Sequence, residues 1–261
     1  MKGRYVALGS SMAAGPGIPP RVAGSPFRAA RSARNYPHLI ARVLELDLVD
    51  VTYSGATTLN LLDEPQNGTP PQIDTLDGTE SLVTITIGGN DVGYVPALMA
   101  AALPRAVRRL PLVGPRIRSA LDPVARDQAL SLVGDALSTV GNEVRRRAPL
   151  ARVVFVDYLT LLPPADTPAP PLTAEEADLG RHIADELAEI TASVAAETGC
   201  EIARASRASR DHHAWSTEPW AEGAGSAVAA LLNRGPAPFH PNAAGMRAVA
   251  DLVVELLRPD Q

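Results

Sequence analysis

Cysteine is almost missing from this chain: Cys200 stands alone. No intramolecular disulfide can form, and a thiolate zinc site would need ligands that the sequence does not hold. Long apolar runs are missing too. No stretch approaches the roughly 18 consecutive apolar residues of a membrane-spanning helix. Positive charge is not in excess: 24 Lys and Arg stand against 29 Asp and Glu, a formal charge of −5. That balance argues against a nucleic-acid partner, because neutralising phosphates takes clustered positive charge. Lysine is down to Lys2, with arginine supplying the other basic residues, which reads as genomic composition bias and not as function. The N-terminal MKGRYVALGSS enters a short apolar run without the longer h-region and small-residue cleavage site of a signal peptide. The expectation is a soluble, cytoplasmic protein.

What the chain has is apolar material. At 261 residues and 46% hydrophobic it can bury a large core without staples or metals. Strand and helix patterns alternate along it. Residues 4–8 (RYVAL), 48–53 (LVDVTY), 81–87 (SLVTITI) and 152–158 (RVVFVDY) read as buried strands, with a short last strand at 200–203. Helical spacing marks 35–46, 123–147, 173–197 and 241–257, with Pro37 and Pro241 placed in first turns. Such alternation predicts a parallel sheet covered by helices on both faces. There is no internal repeat and no low-complexity linker, so residues 1–261 are expected to form one domain. Residues 57–80 and 206–239 resist the scheme and are expected to be functional loops.

In open α/β sheets ligands bind beyond the carboxyl ends of the strands. After the first strand come Gly9-Ser10-Ser11 and Gly15, after the second Ser54-Gly55, and after the third Gly88-Gly89-Asn90-Asp91; Phe239-His240-Pro241 precedes the last helix. A serine, free backbone N–H groups, an asparagine amide and a histidine at one sheet edge are the components of serine acyl transfer. Taken singly, the glycines also read as strand terminators, and Asn90-Asp91 as a helix-capping pair.

Together these residues resemble the SGNH hydrolases, also called the GDSL esterase/lipase family. The first block, G-D-S-x-x-x-G, is matched by Gly9 to Gly15; Gly55 matches the second, Gly88 to Asp91 the third (G-x-N-D), and His240 the fifth. RSARNYPHL and PQIDTL look like the secreted actinobacterial branch. The resemblance implies a three-layer α/β/α, flavodoxin-like parallel sheet and ester hydrolysis (esterase or lipase) through Ser11. His240 would be the general base, with an oxyanion hole made by the Ser11 N–H, the Gly55 N–H and the Asn90 side chain. It implies a small-molecule or lipid acyl-ester substrate and no metal or organic cofactor. The same machinery serves thioesterases and carbohydrate O-acetyl esterases, and a non-catalytic ligand-binding relative would keep the pocket.

The chain departs from the family in three places. Ala237 stands where the family has an aspartate three residues before the histidine, so the Ala237 backbone carbonyl is expected to orient His240, with a carboxylate such as Asp211 as the alternative. Ser10 replaces the first-block aspartate and is itself a candidate nucleophile, though the spacing to Gly15 favours Ser11. The cysteine found shortly before RS in secreted relatives is Ala29 or Ala30 here, which fits a reducing compartment. Asp91 is expected to be mainly structural, as are His38 and His182. The Asp211-His212-His213 run is a poor metal site because adjacent residues do not converge on one ion. Residues 92–121 hold five arginines and no acidic residue, which reads as a solvated insertion, a lid, or a surface for anionic substrates or lipid.

Overall fold

The computed structural model describes residues 2–225 and 237–258. Its strands are β1 (Arg4–Gly9), β2 (Asp47–Asp50), β3 (Glu80–Thr86), β4 (Arg152–Val156) and β5 (Glu201–Ala203). All pair in parallel, in the order β2-β1-β3-β4-β5. This is the flavodoxin-like order, in which the chain winds one way from β1 and then the other, leaving a crevice beside β1 where the direction reverses.

Both faces of the sheet are covered, and the strands show it residue by residue. Val6, Leu8, Val83, Ile85, Val153 and Phe155 face one apolar cluster, while Tyr5, Ala7, Leu82, Val154 and Val156 face the other. The two-residue period of a strand places alternate side chains on opposite faces. On the first face lie α3 (Thr58–Leu62), α4 (Tyr94–Ala102), α7 (Pro123–Arg147) and α8 (Ala174–Glu197). On the second lie α2 (Tyr36–Val43) and the last helix, α10 (Ala243–Leu257). Short helices α1 (Ser11–Ala14), α5 (Arg105–Arg108), α6 (Gly114–Ala120) and α9 (Ala205–Ala208) complete the described α-helices.

Helix ends follow local chemistry. Thr173 and Glu176 form a capping box at the start of α8, and Asp122 accepts from the Val124 N–H at α7. The expected start of the last helix at Pro241 is two residues early. Asn242 caps α10 through Ala244 and Gly245, and Pro241 instead pairs with Ala221 in an isolated antiparallel bridge. The regular ladder of the second strand ends at Asp50, short of the expected Tyr53, but pairing with β1 trails on. The Val51 N–H donates to Ala7 O at 3.1 Å and the Tyr53 N–H to Gly9 O at 2.9 Å, while the Thr52 N–H and hydroxyl turn to the Asp50 carboxylate. Residues 92–121 form α4, α5 and α6. Residues 57–80 contain α3 and a 3-10 turn at Gln72–Thr75. Part of the expected loop 206–239 lies outside the described residues.

Candidate active site

Strand β1 ends in Gly9, whose φ of +144° is costly for other residues and whose added Cβ would lie 2.4 Å from the Thr86 carbonyl oxygen. That close approach, with the Ser10 N–H donating to Thr86 at 2.9 Å, brings the chain off β1 directly beside the end of β3. Ser11 is the first residue of α1 and is buried. As a first-turn residue its N–H has no intrahelical acceptor.

His240 arrives from the other end of the sequence, 2.8 Å from Ser11 Oγ through Nε2. Its Nδ1 lies 2.7 Å from the carbonyl of Pro238. A carbonyl only accepts, so Nδ1 carries the proton and, in the neutral ring, Nε2 is the free acceptor facing the serine hydroxyl. Burial pushes the His240 pKa below its usual value, and the Pro238 carbonyl only partly opposes this. The unprotonated ring is therefore the resting form at neutral pH. The orienting carbonyl belongs to Pro238 and not to the expected Ala237. Phe239 adopts a left-handed φ of +55°, which turns the chain back and presents the carbonyl two residues before the histidine. Asp211 makes no contact with the ring. A clasp holds the turn: the Glu222 N–H donates to His240 O at 2.9 Å, and the Phe239 N–H donates to Glu222 O at 3.1 Å.

The third side of the site comes from β2 and β3. Gly55 has a φ of +80°, a left-handed turn open to glycine. Asn90 Nδ2 donates one proton to Ala56 O at 2.8 Å, leaving its second N–H free of that bond and tying Asn90 to the Gly55 turn. Among the described residues the backbone N–H groups of Ser11 and Gly55 have no backbone acceptor. Asp91 braces the same turn. Its Oδ1 accepts the Thr58 N–H at 3.0 Å and the Thr58 hydroxyl at 2.6 Å, and burial raises its carboxyl above the ordinary range. It therefore stabilises α3, on a different element from the helix next to it in sequence.

Two supporting residues escape the sequence reading. Gln72 grips the Gly9 peptide from both sides, accepting its N–H at 2.7 Å and donating to its carbonyl at 3.0 Å. Tyr158, just past β4, accepts the Gly89 N–H at 2.9 Å and lies 3.5 Å from Ser10 Oγ. Ser10 is buried against this phenol and has no histidine partner. Tyr158 is itself held neutral, its pKa pushed up to about 12 by burial. Its place just beyond a strand end, shared with the serine, glycine and asparagine of the site, is the signal that could have found it. Nothing in the PQIDTL pattern announces what Gln72 grips. Beside Tyr158, burial raises the Asp157 carboxyl to about 6, and it accepts the Ser206 N–H and hydroxyl.

None of the other four histidines pairs with Ser11, whose histidine partner is His240. His38 Nδ1 meets Asn35 Oδ1 at 2.7 Å, His182 pairs with Asp127, and His212 stacks on Trp220 with ring centroids 3.9 Å apart. Among the described residues no three His, Cys, Asp or Glu side chains gather as a metal site.

A buried hydroxyl with a neutral imidazole as acceptor, beside free N–H donors, can attack a carbonyl and stabilise the resulting oxyanion. Known proteins agree with that chemistry. Lipase 2 of Streptomyces coelicolor is 32% identical over 98% of this chain and 86% of its own length. The crystal structure of phospholipase A1 from Streptomyces albidoflavus NA297 superposes with a TM-score of 0.78 at 25% identity, over 99% of this chain and all of that one. An extracellular lipase from Streptomyces rimosus shares the fold with a TM-score of 0.78 at 24% identity, over 97% and 98% of the two chains. Residues 7–248 match the GDSL-like lipase/acylhydrolase family, and the chain belongs to it.

Proposed function

We propose that the protein cleaves carboxylic esters through an acyl-enzyme on Ser11. The observation that carries this is the 2.8 Å contact between Ser11 Oγ and a His240 Nε2 freed to accept by the Pro238 bond at Nδ1. Ser11 Oγ attacks the acyl carbon while its proton passes to His240 Nε2. The oxyanion of the tetrahedral intermediate takes hydrogen bonds from the Ser11 N–H, the Gly55 N–H and the second proton of Asn90 Nδ2. Collapse expels the alcohol, which recovers the proton from His240. Water then repeats the attack on the acyl-enzyme, His240 again serving as base. These steps balance without a metal or organic cofactor.

A dyad of this kind replaces the usual carboxylate by a carbonyl dipole. The carbonyl fixes the tautomer and the ring plane as a carboxylate would, but stabilises the imidazolium less. The Streptomyces relatives named for lipase and phospholipase A1 activity support a lipid acyl ester as substrate. The single cysteine supports a reducing, cytoplasmic location.

Turnover of p-nitrophenyl esters from acetyl to palmitoyl, compared between the parent and a folded Ser11→Ala variant, tests the reading. Hydrolysis that disappears in Ser11→Ala is expected, and the preferred chain length separates esterase from lipase. No turnover of any ester, with hydrolysis of thioesters or O-acetyl sugars, would replace the substrate class. Binding without turnover would indicate a non-catalytic relative.

A further inference from the structure

We infer that the α5–α6 segment is a docking surface for anionic lipid, placed on the same rim of the sheet as Ser11 and His240. Its position is dictated by the direction of the chain. In a parallel α/β fold the helices run antiparallel to the strands, so helix N-termini lie at the carboxyl ends of the strands. Arg108, on α5, forms an ion pair with Glu176 in the first turn of α8. Helix α6 ends at Ala120, immediately before α7 begins at Pro123. From that first turn of α7, Arg126 donates to Val92 O at 2.8 Å, two residues past Asn90. The segment is thereby pinned at the catalytic edge.

To solvent it shows arginines and projecting leucines. Arg105, Arg109, Arg116 and Arg118 are exposed, and among the described residues none has a carboxylate partner. Two nearby carboxylates are already engaged: Glu176 with Arg108, and Asp122 with the Val124 N–H. Between these arginines a Leu110-Pro111-Leu112 tip projects, with Leu110 49% and Leu112 82% exposed. A cationic island carrying two projecting leucines, on a chain of net charge −5, matches an anionic membrane surface, where the leucines enter the acyl boundary and the guanidinium groups meet phosphates. A second copy of this chain fits less well. Two leucines are far short of the roughly 800 Å² per partner that a stable interface buries.

The surface would serve the acyl-ester reading by presenting the site to its substrate, but it is tested separately. The full-length Ser11→Ala chain, which leaves vesicles intact, is sedimented with vesicles of phosphatidylcholine alone and of phosphatidylcholine with phosphatidylglycerol. Binding is expected only with the anionic mixture, weakening as salt is raised. Each arginine near the surface is worth about fivefold in partition. Replacing all four (R105Q, R109Q, R116Q, R118Q) should therefore reduce binding roughly 600-fold. Leu112→Ser, at a site too exposed to disturb folding, should weaken the remaining binding at high salt. The same substitutions in the Ser11-intact chain should leave p-nitrophenyl acetate turnover unchanged, which also shows that they fold. Equal binding to both vesicle types, or undiminished binding by the four-arginine variant, would overturn the proposal. So would a dimer of the parent that Leu112→Ser dissociates, because the face would then join two copies. Failure of the ester reading itself would appear as absent turnover in the parent, whatever the vesicles do.

Discussion

The Tyr158 hydroxyl accepts the Gly89 N–H at 2.9 Å, and the phenol ring packs so closely that a Cβ on residue 89 would lie 2.8 Å from it. The loop that carries Asn90 is therefore set by a side chain from the end of β4, two strands along the sheet from β1. Tyr158→Phe keeps the ring and removes the acceptor, leaving a buried N–H unpaired at a cost of about 1–3 kcal/mol. The expected result is a kcat lowered on the order of 10-fold or more, because small misplacements at a reacting centre are expensive, with KM little changed. Steady-state kinetics on a short p-nitrophenyl ester checks this. A change confined to KM would place Tyr158 in substrate binding instead.

The pH dependence is set by His240. Burial lowers its pKa below the ordinary histidine value of about 6.5. The protonated ring cannot accept from Ser11, so activity is full above this lowered value and is lost as pH falls through it. The acid limb of kcat/KM should have an apparent pKa under about 6.5. A limb above that value would mean that a negative charge, and not the Pro238 carbonyl, faces the imidazole.

Asn90 has one amide proton committed to Ala56 O, so its removal affects both the proposed oxyanion donor and the Gly55 turn. Asn90→Ala should reduce kcat by about 10²–10³ while the chain still folds, as judged by circular dichroism and a cooperative melt. Asn90→Asp, which swaps the donor for a carboxylate near the developing negative charge, should be at least as damaging.

Asp91 separates support from chemistry. It touches Thr58 and no reacting group. Asp91→Ala should cost about 1.5–3 kcal/mol of unfolding free energy, the range for hydrogen bonds to a charged acceptor. Denaturant titration reads that loss directly. Activity should fall less than in Asn90→Ala.

The parallel sheet was legible from alternating patterns, and the long helix α7 spans Pro123–Arg147 as its periodicity predicts. These elements are decided by burial, which hydrophobic spacing reports. Helix ends are decided by single polar groups, which it does not report: Asn242 caps α10 and sets its start past Pro241, and Thr173 with Glu176 boxes the start of α8. The site was readable to the extent that its groups lie just past strand ends. Which carbonyl orients His240 was not, because that depends on the left-handed turn at Phe239, a bulky residue with no local signal for a positive φ. Gln72 was equally hidden, since its grip on Gly9 joins residues 63 positions apart.

The central claim is that Ser11, and not its neighbour Ser10, is the nucleophile, activated by a histidine held by a backbone carbonyl. Fluorophosphonate labelling with peptide mass spectrometry tests it most directly, because the reagent is attacked only by an activated serine. The account predicts one adduct, on Ser11, absent in Ser11→Ala and strongly slowed in His240→Ala. An adduct on Ser10, or labelling that persists at full rate without His240, would contradict it.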